Sequence, residues 1–290
     1  MANSTFTNQD ISDYYDQTEI HYRRAWDLEA SLAMHYGFWR PDTQSFRESL
    51  QQMNKELAQM AGITLDDQVL DAGCGVGGSA IFLAKTIGCQ VKGITLSKKQ
   101  RDSANLNALN AGVESLATFE MQDFTNTPFE DESFDVIWGL ESVVHAQDKI
   151  AFLKETQRLL KPGGRLVMGE YYKKEEPLSK REDRLLKKWL HAWAVPDIER
   201  LSSFKKMIIE AGFTNAQFKD ITPNIRKASW RMFYGSLFLT VLSGLYRMYN
   251  PKVSRFADNH YKALYYQYPA LRKGLWKYHL VLAYKKQESF

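Results

Sequence analysis

The chain reads as an α/β protein built on a doubly wound, seven-stranded sheet, with helices ahead of the first strand and a helical insertion before the last. Three observations predict it. Short apolar runs alternate with amphipathic stretches at the spacing of strand–helix units. The first run, Val69-Leu70-Asp71, ends in an acid and opens through Ala72-Gly73-Cys74-Gly75-Val76-Gly77-Gly78 straight into Ser79-Ala80-Ile81-Phe82-Leu83-Ala84-Lys85. Glycines or a Pro-Gly turn then punctuate the units that follow, at Gly88, Gly112 and Lys161-Pro162-Gly163-Gly164.

Taken in order, residues 12–36 read as a helix rich in tyrosine, followed by an aromatic breaker, Gly37-Phe38-Trp39-Arg40-Pro41. A second helix is expected from an Asp42 cap, with Phe46, Leu50, Met53, Leu57 and Met60 on one face and a stop near Gly62. After the glycine loop, a helix to Ile87 leads to a second strand at 90–95 and a helix over 98–111. A third strand falls at 117–121 and a fourth at 134–138. A helix over 148–160 and a fifth strand at 165–168 follow. A charged insertion, 173–199, places Leu185, Leu186, Trp189, Leu190 and Trp193 at helical spacing. A helix (201–211), a strand (213–220), a second insertion (222–274) and a last strand (276–284) complete the chain. In units, these are an N-terminal cover (1–62), a core (63–172), an insertion with the rest of the core (173–223), an aromatic, basic lid (224–274), and the last strand and tail (275–290).

A chain of 290 residues with 44% hydrophobic content suits one large α/β domain with elaborations or two small ones. Cys74 and Cys89 are too few for a disulfide framework and suit a reducing compartment. The polar start, Met1-Ala2-Asn3-Ser4-Thr5, reads as neither signal nor transit peptide, so a cytoplasmic protein is expected. Six scattered histidines suggest no metal site. The net charge of +4 conceals an asymmetry: residues 224–290 carry 12 Lys/Arg against Asp258 and Glu288, and 15 of the 38 aromatics. Basic and aromatic together fit a membrane surface, nucleic acid, an anionic greasy substrate, or a solvated face over a packed core.

The glycine loop has two readings. Gly73, Gly75 and Gly78 satisfy the dinucleotide pattern, which wants an acid about 20 residues on, at the end of the second strand. That strand ends in Thr95, and the acid sits instead two residues before the first glycine, as Asp71. With the acid there, the loop resembles motif I of the class I S-adenosylmethionine (SAM) methyltransferases. The resemblance implies a Rossmann-like methyltransferase fold, SAM as cofactor, and Asp71, Gly73, Cys74 and Gly75 around its amino-acid end. The strand ends of a doubly wound sheet form the site, and Gly73, Thr95, Asp123, Glu141 and Glu170 fall at such ends.

Over residues 14–170 the chain resembles a narrower group, the sterol C-methyltransferase, tocopherol methyltransferase and cyclopropane fatty-acid synthase relatives. The resemblance rests on Tyr14-Tyr15-Asp16, the glycine loop, Gly93-Ile94-Thr95-Leu96-Ser97 with Gln100, and Glu141-Ser142 with His145 and Asp148-Lys149. It implies that Thr95 and Gln100 serve the ribose in place of an acid, that Gln122 and Asp123 lie beside the adenine, and that Tyr15 lies near the amino-acid end. Leu96, Phe124 and Glu141 are further expected cofactor contacts. Ser97 and Gln100 also form a capping box for their own helix. His145 resembles the histidine of a Glu-His pair, but Val144 precedes it. Glu141, Tyr171, Tyr172 or bound bicarbonate would then supply the missing group, with His145 and Glu141 as the catalytic candidates.

The acceptor is expected to be a lipophilic small molecule (sterol, prenyl chain, quinone or polyketide) methylated at carbon, with oxygen or nitrogen methylation of a natural product as the alternative. Tyr14, Trp26, Tyr36, Tyr171, Tyr172, Trp230 and Tyr234 are the candidate acceptor contacts. In the lid, Trp230, Phe233, Tyr234, Leu237, Phe238, Val241, Leu242 and Leu245 repeat at helical spacing, and this stripe is expected to pack inward over the strand ends. The run is too short, and too closely flanked by Arg231 and Arg247, to span a bilayer. Its basic collar leaves a peripheral lipid contact open, while nucleic acid is not expected. A vestigial fold that only binds membrane or nucleic acid would not need an intact glycine loop. Oligomeric state is not legible.

Overall fold

The computed structural model describes residues 6–25, 28–249 and 255–287; no side chain is described at 20, 21, 23–25, 238–249 or 255–261. The cover is α1 (Asn8–Ala25), α2 (Leu28–Ser31) and α3 (Phe46–Ala61). The core alternates β1 (Gln68–Ala72), α4 (Gly78–Thr86), β2 (Gln90–Thr95), α5 (Lys98–Ala111), β3 (Ala117–Met121), β4 (Phe134–Leu140), α6 (Lys149–Leu159) and β5 (Leu160–Lys173). Then come α7 (Lys180–Ala192), α8 (Leu201–Glu210), β6 (Phe213–Asp220), α9 (Thr222–Tyr249), α10 (Arg255–Arg272) and β7 (Trp276–Lys285). The strands form one seven-stranded sheet in the order β3-β2-β1-β4-β5-β7-β6, parallel except that β7 runs antiparallel to both neighbours. The sheet is the one expected, and its order reverses between β1 and β4, which opens a crevice at their carboxyl ends.

Strand alternation divides the core in two. Val69 and Val91 point to the face that also carries Tyr14, Tyr36, Trp189 and Trp276. Leu70, Ile94 and Leu166 point to the other, with Phe152 and Phe204. The same parity separates neighbouring tyrosines at the end of β5. Tyr171 joins the first face, and Tyr172 joins the second, against Phe204 and His279.

The N-terminal cover differs from the expected single helix over 12–36. After α2 the chain runs non-helically over 32–36, starting from a left-handed Leu32 (φ 52°). A continuing helix would consume the Tyr36 N–H, which here donates to the Glu141 carboxylate at 2.7 Å. This strap lies directly on the glycine loop: a Cβ on Gly78 would stand 2.0 Å from the Leu32 carbonyl oxygen. It also reaches the lid, since the Trp39 N–H donates to the Asn224 carbonyl and the Asn224 amide donates back to the Trp39 carbonyl. The cap of α3 is Ser45 rather than Asp42, its hydroxyl accepting from the Glu48 N–H at 3.1 Å.

The lid reverses the expected packing where side chains are described. Trp230 is 48% exposed, Tyr234 51% and Leu237 42%. The buried face of α9 is Ile225, Ala228, Ser229, Met232 and Ser236. Buried polar pairing decides the orientation. The Gln267 side-chain oxygen accepts from the Ser229 hydroxyl and, at 3.2 Å, from the Tyr36 hydroxyl, while its amide nitrogen donates to the Ser229 carbonyl at 2.7 Å. The apolar calls at Phe238, Val241, Leu242 and Leu245 fall on side chains outside the described ones.

Candidate active site

A cleft of about 230 Å³ opens at the carboxyl ends of β1, β2 and β4, roofed by α1 and the strap. Every residue assigned above to cofactor contact lines it, from Tyr15 through Asp71, the glycine loop, Thr95 and Gln100 to Asp123 and Glu141. At its β1 end Gly73 takes φ 98°, and a Cβ there would lie 2.4 Å from the Ser142 Cβ. The β1 and β4 loops thus meet in a contact that only glycine allows. Asp71 is buried, and its Oδ2 has no hydrogen-bond partner among the described residues. Burial pushes this carboxyl up to about 7, opposed by a backbone hydrogen bond from Ala80. An unpaired buried acceptor beside a helix N-terminus and a bare backbone loop fits the ammonium and carboxylate of an amino-acid moiety.

Further along, the Thr95 hydroxyl donates to Gln100 Oε1 at 2.7 Å. Ser97 Oγ accepts from the Gln100 N–H at 3.0 Å, so half of the expected capping box forms. The Gln100 side chain goes to Thr95 in place of the other half, and lines the cleft where a diol would sit. Asp123 is held by Thr125, whose N–H and hydroxyl donate to Oδ1 at 2.8 and 2.7 Å, and by the Asn8 amide, which donates to Oδ2 at 2.6 Å. The roof is pinned twice more. Ser97 Oγ donates to Asp16 at 2.5 Å, and Lys99 pairs with Glu19 at 2.8 Å.

Behind the cleft lies a chamber of about 20 Å³, sharing Tyr15, Met34, His35, Glu141 and His145 with it. Tyr14, Tyr22, Tyr36, Tyr171, Trp193 and Met232 close the far side. Glu141 sits at φ 54°, an uncommon backbone for a non-glycine residue, and such strain clusters at functional sites. Its Oε1 accepts from the Tyr36 N–H and from the Tyr278 hydroxyl at 2.9 Å, while burial raises the carboxyl to about 8. His145 Nδ1 lies 3.2 Å from the Ala194 carbonyl, which only accepts, so Nδ1 carries the proton. Nε2 therefore accepts from the Tyr15 hydroxyl at 2.8 Å. Burial lowers His145 to about 4, so the ring is neutral near pH 7.

A carboxylate on the other face of the sheet holds the turn that carries His145. Glu170 does not reach the cleft; its Oε1 accepts from the Val143 N–H at 2.8 Å and pins the short 3₁₀ turn Val143–His145. Of the acceptor candidates, Tyr14, Tyr36 and Tyr171 meet in the chamber. Tyr172 faces away because β5 alternates, and Trp230 and Tyr234 stand on the outer surface of α9. Trp26 lies outside the described residues. Sequence reasoning missed Asn8, Met34, Tyr278 and Gln267. Tyr278 and Gln267 carry no local motif, and only the folded sheet brings them to Glu141 and Tyr36.

SAM presents an electrophilic methyl on a sulfonium, so the protein's tasks are positioning, water exclusion and proton removal. The cleft offers an acid for an ammonium, hydroxyl and amide groups for a ribose, and a small aromatic chamber with two proton-handling groups. A family described as a methyltransferase domain matches residues 70–168. The chain is 32% identical over 197 residues to a 27-O-demethylrifamycin SV methyltransferase of Amycolatopsis mediterranei, covering 68% of this chain and 72% of that one. It is 33% identical over 209 residues to a chloroplastic tocopherol O-methyltransferase of Arabidopsis thaliana, covering 64% of this chain and 59% of the relative. The solved structure of the cyclase SpnF superposes with a TM-score of 0.79 at 21% identity, over 97% of both chains, a likeness of fold. Motif, sheet order and relatives agree: this chain belongs to the class I SAM-dependent methyltransferases.

Proposed function

We propose that this methyltransferase modifies a lipophilic small molecule, with carbon as the acceptor atom. The observation that carries the reading is the chamber behind the cleft, where five tyrosines and Trp193 surround Glu141. Methylation of an alkene carbon leaves a cation, which aromatic faces stabilise. Glu141, raised to about 8, is matched to taking a proton near neutral pH. At about 20 Å³ the chamber holds roughly one water. An acceptor therefore enters only when α1 or the lid moves. The roof bonds from Asn8, Asp16 and Tyr15 are the contacts that such movement breaks.

A second reading, transfer to a hydroxyl, is favoured by the Tyr15–His145 pair. A substrate hydroxyl in the chamber would pass its proton to the Tyr15 oxygen as the Tyr15 proton moves to His145 Nε2. The names of the two relatives, one a tocopherol O-methyltransferase and one a 27-O-demethylrifamycin SV methyltransferase, support a natural-product acceptor of this kind. Incubation with methyl-labelled SAM and a lipid extract, followed by identification of the product, tests both. Label in an apolar product on carbon is the expected result; label on oxygen selects the second reading. Label confined to polar metabolites overturns the lipophilic acceptor.

A further inference from the structure

The site accounts for the inner face of α9 and leaves its outer face unexplained. Arg226, Trp230, Tyr234 and Leu237 fall within one side of the helix, and all four are exposed. Trp230 and Tyr234 pack against each other in a tilted pair with ring centroids 4.7 Å apart. Phe233 extends the patch to α10 by stacking on Tyr265, itself 42% exposed, at 5.4 Å. A contiguous exposed patch of large apolar rings marks an interaction site rather than ordinary surface.

We propose that this face of α9 is a docking surface for an anionic lipid bilayer. Charge selects the partner. The 28 residues of α9 include no Asp or Glu and four cations, Arg226, Lys227, Arg231 and Arg247. Lys227 and Arg231 lie over the rings of Trp39 and Phe46, at 3.8 and 4.9 Å, which holds two of those charges along the border of the patch. A second copy of the chain would bring an equally basic face and be repelled, and a nucleic-acid backbone would leave Leu237 without an apolar partner. A headgroup region meets both demands. Trp and Tyr rings sit at the boundary of headgroup and acyl chain, and Arg and Lys pair with anionic headgroups. Among the described residues no helix is long and apolar enough to cross a membrane, so α9 lies on the surface. Met232, on the inner side of the same helix, lines the chamber. The lipid surface and the reaction chamber are thus separated by about one helix diameter, roughly 10 Å.

The inference does not depend on the identity of the acceptor. The test is flotation of the full chain with neutral phosphatidylcholine vesicles and with vesicles also containing phosphatidylglycerol. Partition onto the anionic vesicles should exceed that onto neutral ones by about tenfold or more. It should collapse in about 0.5 M salt. The double substitution Trp230→Ser with Tyr234→Ser should remove most of the binding while leaving the melting temperature and the SAM-induced melting shift unchanged. Absence of co-flotation overturns the proposal, as does co-flotation that the double variant retains. A dimer that the same double variant dissociates overturns it in favour of a second copy.

Discussion

Two aromatic helices cover the same end of the sheet and present opposite faces to it. In α1 the rings turn inward: Tyr14 and Tyr22 are buried and share a hydrogen bond of 3.2 Å between their hydroxyls, and Tyr15 reaches His145. In α9 the rings turn outward, and Ala228, Ser229 and Ser236 face the core. The difference follows from what each helix meets. Beneath α1 lie groups that a phenol can both cover and bond. Beneath α9 lies Gln267, whose amide must be satisfied at close range, and small hydroxylated residues do this where a tryptophan would hold the backbones apart. Ring-rich helical spacing therefore identifies an apolar face without saying which way it points.

Stability gives the widest separation between the two helices. Tyr14→Ala, which empties a fully packed position, should cost about 3–5 kcal/mol in denaturant unfolding. Trp230→Ala should cost under about 1 kcal/mol. Similar losses from both would break the comparison.

Turnover should separate them nearly as far. Glu141→Gln, on the carbon reading, or Tyr15→Phe and His145→Ala, on the hydroxyl reading, should lower kcat by about 10²–10⁴ while the SAM-induced melting shift persists, as expected for loss of a proton-transfer group. Trp230→Ala should leave kcat on a soluble acceptor unchanged. Normal turnover in Tyr15→Phe and His145→Ala would leave Glu141 as the remaining proton acceptor.

Cofactor affinity should carry the signature of Asp71. Its carboxyl is raised to about 7, and only the ionised form pairs with an ammonium. SAM affinity should then fall as pH drops below 7, approaching about tenfold per unit, and level off above 8. Titration calorimetry across pH measures this, and Asp71→Asn should bind weakly with a flat profile. A flat profile in the unmodified protein would show that Asp71 does not meet the cofactor's charge.

The smallest expected effect concerns Glu170, which acts on the site only through the turn it pins. Loss of one buried hydrogen bond in Glu170→Ala should lower kcat by roughly fivefold, equivalent to about 1 kcal/mol. Glu170→Gln keeps an acceptor for the Val143 N–H and should restore kcat with KM unaltered. Equal loss in both variants would assign Glu170 to stability alone.

Much of the cleft was legible because its residues follow strands in a fixed order. Asp71 and Gly73 follow from one loop, Thr95 and Gln100 from the next, and strand ends converge in any doubly wound sheet. The Tyr15–His145 bond spans 130 residues, and nothing local to either residue requires it. The same holds for Tyr278 on Glu141, 137 residues away. The expected helix over 12–36 failed at a point no propensity marks, where the Tyr36 N–H leaves helical pairing for a carboxylate.

The sequence by itself determined the seven-stranded core, the glycine loop and the chemistry that loop admits. Periodicity and turn glycines act within a few residues, and parallel strands joined by helices leave few ways to wind a sheet. Tertiary structure alone decided which aromatics became the chamber and which became surface. It set Tyr171 in the chamber and Tyr172 in the core of the opposite sheet face by the parity of β5. It turned Trp230 and Tyr234 to the exterior because Gln267 had to be satisfied on the opposite side of α9. Such choices depend on buried polar groups from distant segments, and their pairing exists only once the chain has closed.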